Sequence, residues 1–188
     1  MAKSDVAHHG LSEQFAAHTV ERYYRALVYG VPDANDPRLR GVRGASFEPG
    51  NVLKLTTQLA RHRTDRQRQA VLFLGGRRAV TRARVVARYG APVVLAQVEC
   101  WLETGRTHQI RVHLAHAGHG LVGDPVYGGR RKLAQGALSM QAAVALAGFK
   151  RQALHAAVLG FVHPVTGARV RFEAPLPADI NNVLEALG

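Results

Sequence analysis

Cysteine is almost missing from this chain. Cys100 is the only one in 188 residues, so no internal disulfide can form, and a reducing cytoplasm is the expected setting. Long apolar runs are missing too: none approaches the roughly 18 residues that a membrane span needs. The opening Met-Ala-Lys-Ser-Asp-Val-Ala-His-His has no apolar stretch of the kind that directs secretion. Neither a membrane nor export is therefore expected. Acidic residues are scarce, with 13 Asp and Glu against 25 Lys and Arg, for a net charge of +12.

What is present describes a folded, basic chain. Apolar residues make up 47% and charged residues 20%, a balance that excludes a chain disordered throughout. The length suffices to bury one substantial core and is short for two ordinary domains. The cationic excess points to a polyanionic partner, and nucleic acid fits best. Nine arginines and a single acid, Asp65, lie between Arg61 and Arg88, and guanidinium forks match phosphate oxygens.

Periodicity gives a coarse outline. Val6, Leu11 and Phe15 share a helical face behind a Ser4 or Asp5 cap. Tyr23 to Tyr29 reads as a strand stopped by Gly30 and Pro32. Asp33 to Asn51 reads as a long surface loop, Val52 to Leu55 as a short strand, and Arg61 to Gln69 as an exposed polar stretch. Thr81 to Tyr89 and Val93 to Leu102 form a hairpin across Gly-Ala-Pro. A short helix follows, with Ile110, Leu114 and Ala117 on its apolar side and Gly118 at its left-handed end. Gln135 to Leu146 is Ala-rich and reads as helical. Leu154 to Val162 pairs with Arg169 to Glu173, and Leu176 to Leu187 closes the chain as a helix. The predicted class is α+β: a mixed, mainly antiparallel sheet with a few packed helices.

The densest chemistry lies in Leu102-Glu-Thr-Gly-Arg-Thr-His-Gln-Ile-Arg-Val-His-Leu114, continuing through Gly118-His-Gly-Leu-Val-Gly-Asp-Pro-Val-Tyr-Gly128. Arg106, His108, Arg111 and His113 crowd a strand-to-helix junction. The histidines at 108, 113, 116 and 119 suggest a metal site superficially. Their spacing lacks the one-face pair of a zinc helix, and no Glu or Cys accompanies them, so no metal is expected. For His113, His116 and His119, capping and loop hydrogen bonds are the favoured reading. Arg111 differs, because an arginine buried at such a junction needs an anionic partner.

This run resembles the third signature of RluA-type pseudouridine synthases, Gly-Arg-Thr/Ser-His-Gln-Ile/Leu-Arg-Val-His followed by Gly-His-Pro-Leu-Val-Gly-Asp, with only Gly120 departing from it. Three further segments resemble family motifs in the same order. They are Tyr24-Arg-Ala-Leu-Val-Tyr-Gly30; Arg61-His-Arg-Thr-Asp-Arg-Gln-Arg-Gln-Ala-Val71 with Ala79-Val-Thr81; and Leu154-His-Ala156 with Phe161-x-His-Pro-x-Thr-Gly167. The resemblance runs from Ala2 to about Pro177.

The resemblance implies a domain that flips a uridine out of structured RNA and rejoins its uracil to the ribose through carbon 5, with no metal, nucleotide or redox cofactor. Ribosomal RNA is the expected substrate, with transfer RNA the other candidate. Arg111 and Tyr24 are the implied catalytic residues: Arg111 pairs with the nucleophilic aspartate, and Tyr24 stacks on the base. From position alone, Tyr24 is equally well a core aromatic. Arg61, Arg63, Arg66, Arg106 and His108 are the implied RNA contacts. Leu154 would wall the pocket, although core packing explains it equally well.

One motif is missing. The family's His-Arg-Leu-Asp-x-x-Thr-Ser-Gly, which carries the nucleophile, is not in this sequence. None of the six aspartates, Asp5, Asp33, Asp36, Asp65, Asp124 and Asp179, has its neighbours. The expectation is therefore a partial catalytic domain over residues 1–188 without a separate N-terminal RNA-binding module. Such a chain would not catalyse alone, its Arg111 would face a vacant anion site, and its open sheet edge would favour self-association. The rival expectation is a noncatalytic RNA-binding remnant.

Overall fold

The computed structural model describes residues 2–128, 131 and 133–188. The chain opens with α1 (Asp5–Ala16), capped by the Ser4 hydroxyl accepting from the Ala7 amide. Its apolar face is thinner than the spacing suggests, for none of its residues is buried and Val6 and Phe15 stay exposed. The helix is held instead by Gln14, whose amide exchanges two hydrogen bonds with the Val162 backbone, at 2.7 and 2.9 Å.

Next come β1 (Glu21–Tyr29), β2 (Ala45–Glu48), β3 (Val52–Arg61), β4 (Gln69–Leu72), β5 (Arg77–Tyr89) and β6 (Leu95–Leu102). Helix α2 (Gln109–His116) follows, then α3 (Met140–Gly148), β7 (Leu154–Val162), β8 (Arg169–Glu173) and α4 (Ala178–Leu187). The eight strands form one sheet in the order β2-β3-β5-β6-β1-β7-β8, with β4 beside β3. The α+β class holds, and the strand pairings are antiparallel among the described residues.

Alternation along the strands buries apolar residues on both faces of the sheet. On β1, Ala26 and Val28 face α2 and pack with Ala83, Val98, Cys100, Ile110 and Leu114. Leu27, between them, faces the other way and packs with Leu95 and with Val183 of α4. Each fully buried Leu contributes roughly 1.5–3 kcal/mol. Helix α2 is thus clamped over the centre of the sheet, while α3 and α4 cover the far side.

Three segments differ from the sequence expectation. The stretch from Asp33 to Asn51 is not simply a surface loop: it contains a 3-10 turn at Pro37–Leu39, then β2, and Asp33, Asp36 and Leu39 are buried. Its aspartates can be buried because Asp33 pairs with Arg88 at 2.9 Å and Asp36 with Arg38 at 2.6 Å. β3 runs to Arg61, well beyond Leu55, because pairing with β5 extends it to Leu59 and pairing with β4 to Arg61. Helix α3 begins only at Met140, after the left-handed Gly136 and a Ser139 cap onto the Ala142 amide.

The open sheet edge is short. β2 and β4 have four residues and β8 has five, with Arg169, Arg171 and Glu173 on β8. Short length and charge both discourage edge pairing with another chain, which weakens the case for self-association. Among the described residues no helix is long and apolar enough to cross a membrane.

Candidate functional site

β6 ends at Leu102, and the chain turns through residues 103–107 into α2. Gln109 fixes this turn from inside. Its carbonyl accepts from the Thr104 hydroxyl and the Arg106 amide, at 2.8 and 2.9 Å, while its amino group donates to the Val80 carbonyl and Thr81 hydroxyl, at 2.9 and 3.0 Å. The four bonds satisfy a buried amide fully, which sets where Arg106 and Arg111 emerge.

Arg111 does not face a vacancy. Its Nε and Nη2 donate to the Asp124 carboxylate at 2.7 and 2.8 Å, a fork-to-fork pair. Asp124 also accepts from the Val126 and Tyr127 amides, and its side chain is fully buried. Burial alone would raise the pKa of Asp124, but the hydrogen bonds from Arg111 and from these amides outweigh it and lower the value. The same bond to Asp124 raises Arg111. Tyr127 covers the pair, with its ring centre 4.9 Å from the guanidinium carbon.

Tyr127 ties three elements together. Its hydroxyl accepts from the Gln69 amide of β4 at 2.6 Å and lies 3.1 Å from Nδ1 of His108. His108 sits at the head of α2 with φ 55°, and its pKa is lowered by burial first and by Arg111 second, with Asp124 opposing. Tyr24 and Leu154, both half-buried, pack on the cluster containing Ile110 and Leu114. The structure therefore brings Tyr24 and Leu154 against the apolar side of α2, whereas the Arg111 guanidinium turns to Asp124.

The arginines sort into two groups. Arg78 pairs with Glu103, Arg82 with Glu48 and Glu103, Arg84 with Glu99 and Arg88 with Asp33. Their charge is neutralised locally, so the run from Arg61 to Arg88 is not one cationic patch. Arg61, Arg77 and Arg106, in contrast, line a cleft of about 320 Å³ together with Gln69, Gly105 and Thr107. None of these three forms a carboxylate ion pair among the described residues. Arg63 and Arg66 are exposed on the loop between β3 and β4, outside that lining.

The remaining histidines are bound to polar groups of the fold. His113 lies between the Thr57 and Thr81 hydroxyls, each at 2.8 Å, and burial pushes its pKa down to about 4. His116 meets the Arg43 carbonyl at 3.0 Å and His119 the Tyr29 carbonyl at 2.9 Å. No set of three or more potential metal ligands gathers among the described residues.

Residues 1–116 match the family described as RNA pseudouridylate synthase. The chain belongs to that family. It is 44% identical over 189 aligned residues to a "Ribosomal large subunit pseudouridine synthase D" from Zymomonas mobilis subsp. mobilis, covering 100% of this chain and 51% of the relative. An "Uncharacterized RNA pseudouridine synthase YlyB" from Bacillus subtilis is 40% identical over 187 residues, covering 100% of this chain and 50% of the relative. The chain thus spans about half the length of the curated relatives it matches. Among solved structures, human RNA Pseudouridylate Synthase Domain Containing 4 superposes with TM-score 0.63 at 22% identity, covering 98% of this chain and 68% of that one. Domain Containing 1 gives TM-score 0.63 at 21% identity, covering 93% and 62%. These two share the pseudouridine synthase fold.

In this member of the pseudouridylate synthase family, the sequence pattern alone misses Asp124 and Tyr127. The signal available is the Asp-Pro-Val-Tyr order, in which an Asp side chain accepts from amides two and three residues on. Asp124 accepts two guanidinium bonds and two amide bonds, three on Oδ1 and one on Oδ2, and its side chain is fully buried, so it orients Arg111 and presents no open face to a substrate.

Proposed function

We propose that this chain is the RNA-holding part of a pseudouridine synthase catalytic domain acting on uridines in structured RNA, with ribosomal RNA as substrate and transfer RNA as the other candidate. The whole of residues 1–188 belongs to that one domain in this reading, and its setting is the cytoplasm. The observation that carries the reading is the cleft at the strand-to-helix junction. Arg61, Arg77 and Arg106 meet there without carboxylates, while their sequence neighbours Arg78, Arg82 and Arg84 are neutralised. Phosphates in the cleft would fix the strand's register, and Arg63, Arg66 and His108 would extend the grip.

The reaction breaks the bond from uracil N1 to the ribose, turns the ring, and joins carbon 5 to the same ribose carbon. The proton lost from carbon 5 is balanced by one gained at N1. Tyr24 would stack on the extruded base and relay that proton, for which a phenol is chemically competent. Leu154 beside it would exclude water, and Arg111, oriented by Asp124, would present its remaining Nη1 edge to a nucleophilic carboxylate. No residue of this sequence carries the nucleophile's motif, and Asp124 is fully buried and paired with Arg111. That favours the second reading for the chain alone, RNA binding without turnover.

The test compares binding of a structured ribosomal RNA fragment by Arg61→Gln, Arg77→Gln and Arg106→Gln with binding by Arg84→Gln. Each cleft variant is expected to lower the salt dependence of log K by about one and Arg84→Gln to leave it unchanged. Equal effects from both groups would defeat the reading.

A further inference from the structure

Among the described residues two arginines are buried, Arg111 and Arg22, and Arg22 is the one that the site so far leaves without a role. It stands two residues before Tyr24 on β1, and only 9% of it is exposed. A buried cation normally has a carboxylate partner, as Arg111 has Asp124, and even the half-buried Arg82 has Glu48 and Glu103. Arg22 has none among the described residues. Its Nη2 reaches the Leu102 and Glu103 carbonyls only at 3.5 Å, the outer limit of a hydrogen bond, and its Nε is buried with no partner at all. The Phe15 ring, 5.4 Å from the guanidinium carbon, is its remaining electrostatic contact. Burial lowers its pKa, with Tyr24 opposing, yet an arginine stays charged. Such an arrangement costs stability unless an anion arrives.

Gly105 shows where the anion would enter. A Cβ at 105 would collide with Nη1 of Arg22, so the missing side chain leaves room for the guanidinium edge at this turn. Gly105 also lines the basic cleft, next to Arg106 and Thr107 and across from Arg61 and Arg77. Arg22 is not itself in the cleft lining; its Nη1 lies behind Gly105, which is.

We propose that Arg22 is a phosphate-binding residue of the RNA site, holding the phosphodiester next to the nucleotide stacked on Tyr24. This rests on the RNA reading given above. A phosphodiester suits the place, because two oxygens can accept from the guanidinium fork while the strand continues past Gly105 into the cleft.

The experiment measures RNA binding by fluorescence anisotropy across a salt titration, together with the melting temperature of the free chain, for wild type, Arg22→Met, Arg22→Lys and Gly105→Ala. In Arg22→Met the slope of log K against log salt is expected to fall by about one. Its melting temperature stays level or rises, because a buried unpaired charge has gone. Arg22→Lys keeps the slope. Gly105→Ala, which displaces Nη1 while retaining the arginine, loses slope as Arg22→Met does, and it stands in if Arg22→Met does not fold. A lower melting temperature with wild-type slope in both Arg22→Met and Gly105→Ala overturns the proposal and makes Arg22 a brace for the Leu102 and Glu103 carbonyls. If the wild-type chain shows no salt-dependent RNA binding, the RNA reading falls and this proposal with it. If wild type binds and only the Arg22 effects are missing, this proposal falls alone.

Discussion

Arg111 and Asp124 form a buried two-point ion pair, 2.7 and 2.8 Å, across the turn that follows α2. Burial makes the two charges interdependent. Replacing Asp124 by Asn leaves the guanidinium under Tyr127 with no counter-charge, and the expected loss is about 3–5 kcal/mol of unfolding free energy. Urea denaturation measures it, and a loss below about 1 kcal/mol would show that the pair is not what holds Arg111.

Tyr127 should matter through its hydroxyl. Tyr127→Phe keeps the ring over Arg111 and removes the bonds to the Gln69 amide and His108. A cost of about 1 kcal/mol follows, because a half-buried amide loses its partner. Hydrogen exchange should show it as faster opening of β4, and unchanged exchange at Gln69 would contradict it.

Gln109 is a comparable anchor inside the turn. Gln109→Leu fills similar space but leaves the Arg106 amide, the Val80 carbonyl and two threonine hydroxyls short of partners. The expected loss is about 2–4 kcal/mol, with weaker RNA binding because Arg106 is no longer positioned. Calorimetry and binding should move together, and full RNA affinity in a destabilised variant would separate them.

Acid should weaken the fold before its carboxylates titrate. His113 is held neutral between Thr57 and Thr81, its pKa lowered from 6.5 to about 4 by burial and by His116. Between those two values the unfolded chain binds the proton and the folded chain does not. Stability is therefore intact above pH 6.5 and falls as pH drops to about 4, by up to roughly 3 kcal/mol. His119, lowered chiefly by burial, adds in the same direction. Unfolding free energy measured from pH 7 to 4 should lose part of its slope in His113→Gln, and an unaltered slope would count against the assignment.

Local pattern made much of the fold legible. The β5–β6 hairpin, the end of α2 at Gly118 and the β7–β8 hairpin follow from alternation and turn residues that are close in sequence. The burial of Asp33 and Asp36 does not, because their partners include Arg88 and His119, which only the folded sheet brings near. The site divides the same way. The junction and its cations stand together in one motif, so Arg106, His108 and Arg111 are readable. Which arginines remain unpaired depends on Glu48, Glu99 and Glu103 across neighbouring strands, and no spacing rule reports that.

The most direct measurement is pseudouridine content in a ribosomal RNA fragment after incubation with the 188-residue chain, read beside binding of the same fragment. The account predicts salt-sensitive binding and no pseudouridine, because the carboxylate at Arg111 is the fully buried Asp124. Pseudouridine formed by this chain alone would mean that one of its own residues is the nucleophile, and would contradict the account.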